Sequence, residues 1–118
     1  MSKLAKMRTD LLRAARAKSK VTYGELMKKY HLSRGRALTQ AIGQIDQQEY
    51  ERGEPGFAAI IVRRDTGFPG GGYFCDDDLP QGPKRNNRSR TDPRLSPAEK
   101  DFVFMQQKRI WAHYTKRR

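Results

Sequence analysis

The sequence predicts an α+β fold in which three helices are followed by a β-hairpin, a basic linker and one further helix. Three observations predict it: successive stretches with apolar residues at helical spacing, a β-rich apolar run that ends at a turn, and a proline-rich basic stretch before a last helical pattern. At 118 residues with 36% hydrophobic content, the chain suits one domain with a modest core. We place that domain at residues 1–78, the linker at 79–95 and the last helix at 96–118.

The first two helices are predicted from their apolar faces and from one cap. Residues 3–18 carry an apolar stripe opposite basic side chains, which is typical of an amphipathic helix. A second, short helix is predicted at residues 23–30, because Thr22 and Glu25 have the spacing of a capping box. The apolar residues that define the first stripe are Leu4, Met7, Leu11, Leu12 and Ala15.

The third helix is predicted at residues 34–49, after a short connector in which Ser33 serves as the N-cap. Leu38, Ala41 and Ile45 share one face. At 100° per residue the opposite face is polar. Its side chains can hydrogen-bond to bases or phosphates, and they include Arg36, Gln40, Gln44 and Gln47 around Gly43.

A β-hairpin is predicted at residues 57–74. The apolar run from Phe57 to Val62 is rich in β-formers, and residues 65–67 (Asp-Thr-Gly) are a turn signal. Glycines 70–72 indicate that the returning arm is not regular throughout its length.

The chain after residue 78 changes composition and then returns to a helical pattern. Residues 79–95 hold prolines and basic residues with few aliphatics, which predicts an exposed tether or a polyanion-binding arm. Ser96, Pro97 and Glu99 then start the last helix as N-cap, first residue and capping glutamate. Its apolar stripe either closes the core over the first helix or forms a homodimer interface, and it comprises Phe102, Val103, Phe104, Ile110, Trp111 and Tyr114.

This order of elements is that of a winged helix-turn-helix, in which the second helix of the motif lies in the major groove of DNA. The formal net charge of +12 agrees with a polyanionic partner. We therefore expect duplex DNA to be the partner and RNA to be the less favoured variant, with transcriptional regulation as one role. The predicted contact residues are Arg34, Arg36, Thr39, Gln40 and Gln44 for the helix, Arg63 and Arg64 for the wing, and Lys84, Arg85, Arg88 and Arg90 for the linker.

Part of the chain also resembles a known family. The stretch Val21–Leu26, with Arg36–Leu38 and Ala41–Gly43 after it, is similar to the winged-helix part of alkylguanine-DNA alkyltransferases and alkyltransferase-like proteins. The resemblance implies DNA binding through the helix that contains Arg36. The family's Pro-Cys-His-Arg motif is absent, since Cys75 is followed by an aspartate. The resemblance therefore implies the architecture without alkyl transfer.

Two other classes of function stay open. A basic domain of this kind also suits an interaction module for an acidic protein. The run Asp76–Asp78 suggests a small metal-dependent nuclease, although consecutive residues of a strand point to opposite sides. His31 and His113 have no supporting motif for acid–base catalysis. We expect a binding protein rather than an enzyme, with no cofactor and no metal.

The surroundings of the protein are predicted from its cysteine content and hydropathy. Cys75 is the only cysteine, so no intramolecular disulfide can form, which is typical of a reducing compartment. No stretch approaches the ~18 apolar residues of a membrane span. We therefore expect a cytoplasmic protein without a membrane partner.

Overall fold

The computed structural model describes residues 2–32, 36–70, 73 and 94–116, and these residues form an α+β fold. Helices α1, α2 and α3 contact one another, and α4 packs on α1. The elements in chain order are α1 (Lys3–Arg16), β1 (Val21–Thr22), α2 (Tyr23–Tyr30), α3 (Arg36–Glu51), a 3₁₀ turn (Ala58–Ile60), β2 (Ile61–Val62) and α4 (Pro97–Lys116).

Helix α1 begins at a serine cap and ends two residues before the predicted boundary. The Ser2 hydroxyl accepts a hydrogen bond from the Ala5 amide at 3.1 Å. The helix ends at Arg16. Lys18 then adopts a positive φ of 52°, which is incompatible with a right-handed helix. Met7 and Leu11 are fully buried on the inner face, as the helical spacing predicts.

Helix α2 has the predicted bounds, and one of the two hydrogen bonds of its predicted capping box forms. The Thr22 side chain accepts a hydrogen bond from the Glu25 amide at 3.1 Å. His31 closes the helix in the left-handed conformation, with φ 54°. Leu26 and Tyr30 are buried and face the core.

Helix α3 continues two residues beyond its predicted end. It runs to Glu51, and Gly53 then ends it in the left-handed conformation with φ 73°, which glycine adopts most readily. The Glu54 amide then bonds back to the Glu49 carbonyl oxygen at 2.8 Å. The predicted cap Ser33 and the predicted first residues 34–35 lie outside the described residues.

The predicted β-hairpin at 57–74 is wrong for the residues that the structure describes. Strand β2 pairs in parallel with β1, in the register Val21 to Ile61 and Thr22 to Val62. The physical reason is burial: both residues of β2 are buried, and a strand covered on both faces shows a continuous apolar run rather than alternation. The chain then closes a short loop at 63–68, where the Arg63 amide donates to the Phe68 carbonyl oxygen at 2.9 Å.

A buried aspartate joins α3 to the 3₁₀ turn. The Asp46 carboxylate accepts hydrogen bonds from the amides of Phe57 and Ala58, at 2.7 and 3.2 Å. Gly56 lies so close that an added Cβ would come within 2.5 Å of the Asp46 Cγ. Glycine is therefore required at position 56 by space, not by its φ angle.

Helix α4 begins with a complete capping box, as predicted. The Ser96 hydroxyl accepts from the Glu99 amide at 3.1 Å, and the Glu99 carboxylate accepts from the Ser96 amide at 2.9 Å. Val103, Ile110 and Tyr114 are buried. The inner face of α4 therefore packs on the chain's own core. Residues 79–93 of the predicted linker lie outside the described part of the chain.

One buried carboxylate links α1, α3 and α4. Glu49 is fully buried and is paired with Arg8 of α1 and with Arg52, which follows α3. The Tyr114 hydroxyl of α4 lies 3.1 Å from Glu49 Oε2 and 2.7 Å from the Pro55 carbonyl oxygen. Burial alone would raise the pKa of Glu49, but the hydrogen bonds from the two arginines lower it below its ordinary value.

Within the described ranges, no helix has both the length and the apolar content that crossing a membrane requires.

Replacing Gly56 with Ala should destabilise the protein by about 1–3 kcal/mol, because the new methyl group would displace the Asp46 carboxylate from its two amides. Urea unfolding followed by circular dichroism measures the change. Gly24→Ala is the matched control, since a Cβ there meets nothing within 4 Å. Equal stability of Gly56→Ala and the wild type would contradict the close packing described here.

Replacing Glu49 with Gln should cost about 3 kcal/mol at pH 7, because Arg8 and Arg52 lose the buried charge that they face. The folded-state pKa of Glu49 is lowered from its ordinary value, so its carboxylate stabilises the fold fully above that ordinary value and loses this effect as the pH falls through the lower, folded-state pKa. The difference between wild type and variant in urea unfolding should therefore shrink from pH 7 to pH 3.

The control for this prediction is Glu51→Gln, an exposed glutamate two residues along the same helix. We expect it to change stability by less than about 0.5 kcal/mol. A Glu49→Gln penalty that stays constant between pH 7 and pH 3 would show that the charge of Glu49 is not what stabilises the cluster.

Candidate nucleic-acid interface

Helix α3 has one face in the core and the other in solvent. Leu38 and Ile45 are buried among residues of α1, α2 and the 3₁₀ turn. Asp46 and Glu49 continue the buried side toward the C-terminus of the helix, where both are hydrogen-bonded. These four inner residues hold α3 in the fold, so its outer face belongs to a firmly packed helix.

The outer face of α3 carries the helix residues that the sequence predicts for contact with nucleic acid. Four of the five predicted residues lie in the described part of α3, and all four are exposed: Arg36, Thr39, Gln40 and Gln44. Between Arg36 and Gln47 the face extends for about 16 Å at 1.5 Å per residue. The fifth predicted residue, Arg34, lies outside the described residues.

A shallow depression that was not predicted from the sequence lies along the second half of this face. Gly43 and four glutamines line it together with one glutamate. Gln48 and Glu51 were not among the predicted residues, although a 100° period places both beside Gln44 and Gln47. The residues that line the depression are Gln40, Gly43, Gln44, Gln47, Gln48 and Glu51.

The described part of the fold does not require a glycine at position 43. An added Cβ would meet no atom of the described residues within 4 Å, and Gly43 lies within a regular helix. A glycine inside a helix destabilises it by about 1 kcal/mol relative to alanine. Because no side chain stands at position 43, the helix backbone there is open to close approach by another molecule.

The two predicted wing arginines differ in what they contact. Arg63 is half-buried and forms a bidentate pair with Asp65, at 2.9 and 2.8 Å. This hydrogen bonding raises the pKa of Arg63 and lowers the pKa of Asp65. Arg64 is exposed. The sequence analysis missed the Arg63–Asp65 pair, although the two residues are close in the chain.

The loop at 63–68 is held against the segment after α1. The Lys20 ammonium lies 3.3 Å from the Gly67 carbonyl oxygen and 5.7 Å from the centre of the Phe68 ring. The Tyr23 hydroxyl accepts a hydrogen bond from the Gly70 amide at 3.1 Å, and burial raises its pKa. These contacts place an exposed arginine, Arg64, on an anchored loop.

Several acidic side chains of the described residues are bonded within the fold, whereas the lysines are exposed. Asp10 binds the Tyr30 hydroxyl and Lys29, and Glu54 is paired with His113. Asp46, Glu49 and Glu99 are buried and hydrogen-bonded, as described above. In contrast, these lysines are all exposed: Lys3, Lys6, Lys18, Lys20, Lys28, Lys29, Lys100 and Lys108.

A second concave region has a volume of about 270 Å³ between the loop after α3 and α4. Its lining mixes Glu54 and Arg109 with the side chains of Tyr50, Tyr73 and Gln106. This mixture of charges does not define one class of ligand. His113 contacts Glu54 and the ring of Tyr114, so its partners are structural groups.

Other predicted residues lie outside the described part of the chain. They are the linker residues Lys84, Arg85, Arg88 and Arg90, and the acidic run Asp76–Asp78. Among the residues that are described, no group of three or more His, Cys, Asp or Glu side chains is placed to hold a metal ion.

Comparison with protein-family models, curated proteins and solved structures finds no match to this chain.

Replacing Gly43 with Ala should stabilise the protein by about 0.5–1 kcal/mol, because helix propensity rises and the methyl group enters open space. The measurement is the midpoint of urea unfolding. Gly53→Ala is the opposite control, since its φ of 73° strains any residue with a Cβ and should lower stability. A destabilised Gly43→Ala would mean that glycine at 43 serves the fold after all.

Proposed function

We propose that the chain binds duplex DNA as a helix-turn-helix protein, with α3 in the major groove. The single observation that carries the proposal is the exposed amide-rich face of α3 around a glycine that the fold does not require. Amide side chains pair with adenine edges, and an arginine pairs with guanine. Arg36 and Gln40 lie toward the N-terminal part of α3, which is the part of a recognition helix that contacts bases.

The surrounding surface supports binding to the DNA backbone. Lys28 lies in the last turn of α2 and is exposed, and the exposed Lys18 and Lys20 follow α1. Phosphate contacts from such residues position a protein on DNA without reading sequence. The loop at 63–68, with exposed Arg64, takes the place of the wing in this proposal. Arg63 contributes through its pair with Asp65, which holds the loop in shape.

The first test is fluorescence anisotropy with a labelled random duplex and, in parallel, a single-stranded RNA. We expect the duplex to bind with a Kd below about 100 µM at low salt, and to bind more tightly than the RNA. The logarithm of the affinity should fall linearly with the logarithm of salt concentration, with a slope near −0.9 per phosphate neutralised. Absence of binding to both polymers at low salt would exclude the proposal. Tighter binding to RNA would exclude its duplex-DNA form.

Arg36→Ala should weaken duplex binding about tenfold without changing the fold, because Arg36 is exposed and stands at the start of the contact face. Arg36→Lys separates two roles: it retains the charge for a phosphate contact but loses the bidentate pairing with a base. Lys100→Ala on α4 is the control, since it removes one exposed charge from a helix that does not form the α3 face. Normal affinity in a folded Arg36→Ala would remove Arg36 from the site.

A further inference from the structure

Helix α4 has large apolar side chains on its outer face as well as on its inner face. Val103, Ile110 and Tyr114 are buried against the core. On the outer side, Phe104 is 49% exposed and Met105 is 65% exposed. Neither of these two packs against the core cluster. Together they form a small apolar patch on the surface of a strongly charged domain.

Charged residues flank this apolar pair in an ordered way. Asp101 lies one turn before it and Lys108 one turn after it, so the four residues form one stripe along the helix. Asp101 and Lys108 are both exposed. Among the described residues Asp101 has no ion-pair partner, whereas the Lys108 ammonium lies 4.4 Å from the centre of the Phe104 ring. From the N-terminal to the C-terminal end, the stripe consists of one acidic, two apolar and one basic residue.

We propose that this outer stripe of α4 is the interface of a homodimer in which two α4 helices pack antiparallel across a twofold axis. The axis passes between positions 104 and 105. Phe104 of one copy then faces Met105 of the other, and each Asp101 faces a Lys108. Seven residues separate Asp101 from Lys108, which is about 10.5 Å along the helix in both copies, so the two ends match at once.

A second copy of this chain is the occupant that this charge order favours. An antiparallel twofold interface must be complementary to itself, and a stripe with an acid at one end and a base at the other satisfies that condition. A partner of uniform negative charge would match Lys108 but would be repelled by Asp101. The swapped arrangement considered from the sequence, with the Val103 and Ile110 face on another subunit, is not needed, because that face is buried within the chain.

The interface is small, and this sets the expected strength. One helix face with two large apolar side chains per copy buries less area than a standard stable interface, so a weak dimer is expected. The net charge of +12 on each copy opposes association further. We expect a dimer Kd of about 10–100 µM near physiological salt, where screening limits that repulsion. The inference does not depend on DNA binding, because α3 and α4 present separate faces.

The test is sedimentation equilibrium of the full chain from about 5 to 500 µM at 150 mM salt, with folding of each variant checked by circular dichroism. The wild type should show a monomer–dimer equilibrium. Met105→Glu should weaken it at least tenfold, since it places a charge at the centre of the interface. Lys108→Asp and Asp101→Lys should each weaken it about fivefold or more, because like charges would then face each other.

The double variant Asp101→Lys with Lys108→Asp decides the arrangement. It reverses both charges of each pair, so it should restore the dimer Kd to within about twofold of the wild type. Lys3→Asp at the start of α1 is the control for the change in net charge, since Lys3 is exposed, and it should leave the dimer Kd close to that of the wild type. A protein that stays monomeric to 500 µM, a dimer insensitive to Met105→Glu, or a double variant as weak as the single variants would overturn the proposal.

Discussion

The fold depends on one fully buried carboxylate, that of Glu49. Glu49 has no solvent exposure, and its charge is balanced by Arg8 and Arg52 with the hydroxyl of Tyr114 beside it. A buried charge is costly unless its hydrogen-bonding capacity is met. Helices α1, α3 and α4 therefore have to meet in one arrangement to satisfy this group. The orientation of the outer α3 face follows from that arrangement, because Glu49 and the outer glutamines belong to the same helix.

The helices and their caps could be predicted from the sequence because the chemistry that forms them is local. Ser96 and Glu99 are three residues apart and form both bonds that this spacing indicates, and Thr22 and Glu25, with the same spacing, form one of the two. The exposure of Arg36, Gln40 and Gln44 follows from the helical period once Leu38, Ala41 and Ile45 are assigned to the core. For these residues, the pattern that predicts the structure and the groups that form it lie within a few positions of each other in the chain.

The parts that could not be predicted depend on partners distant in the chain. The run Phe57–Val62 was assigned to a hairpin because a turn signal follows it, but its strand partner is Val21–Thr22, a two-residue segment with no pattern of its own. Asp46 and Glu49 read as ordinary polar residues of a helix. They are buried because the amide of Phe57 bonds to Asp46 and the side chain of Arg8 bonds to Glu49, and both partners are distant in the sequence. The depression around Gly43 needed the structure for the same reason, since only the surrounding space shows that the fold leaves this position open.

The parallel pairing of β1 with β2 has a consequence for the order of folding. Val21 pairs with Ile61, so the pairing closes a loop that contains all of α2 and α3. Two residues on each side supply too few hydrogen bonds to offset the entropy of closing such a loop without help. Contacts between neighbouring helices form over shorter chain separations and are favoured earlier. We therefore expect the two short strands to pair late in folding, after α2 and α3 have packed, and to join the two ends of the segment that contains these helices.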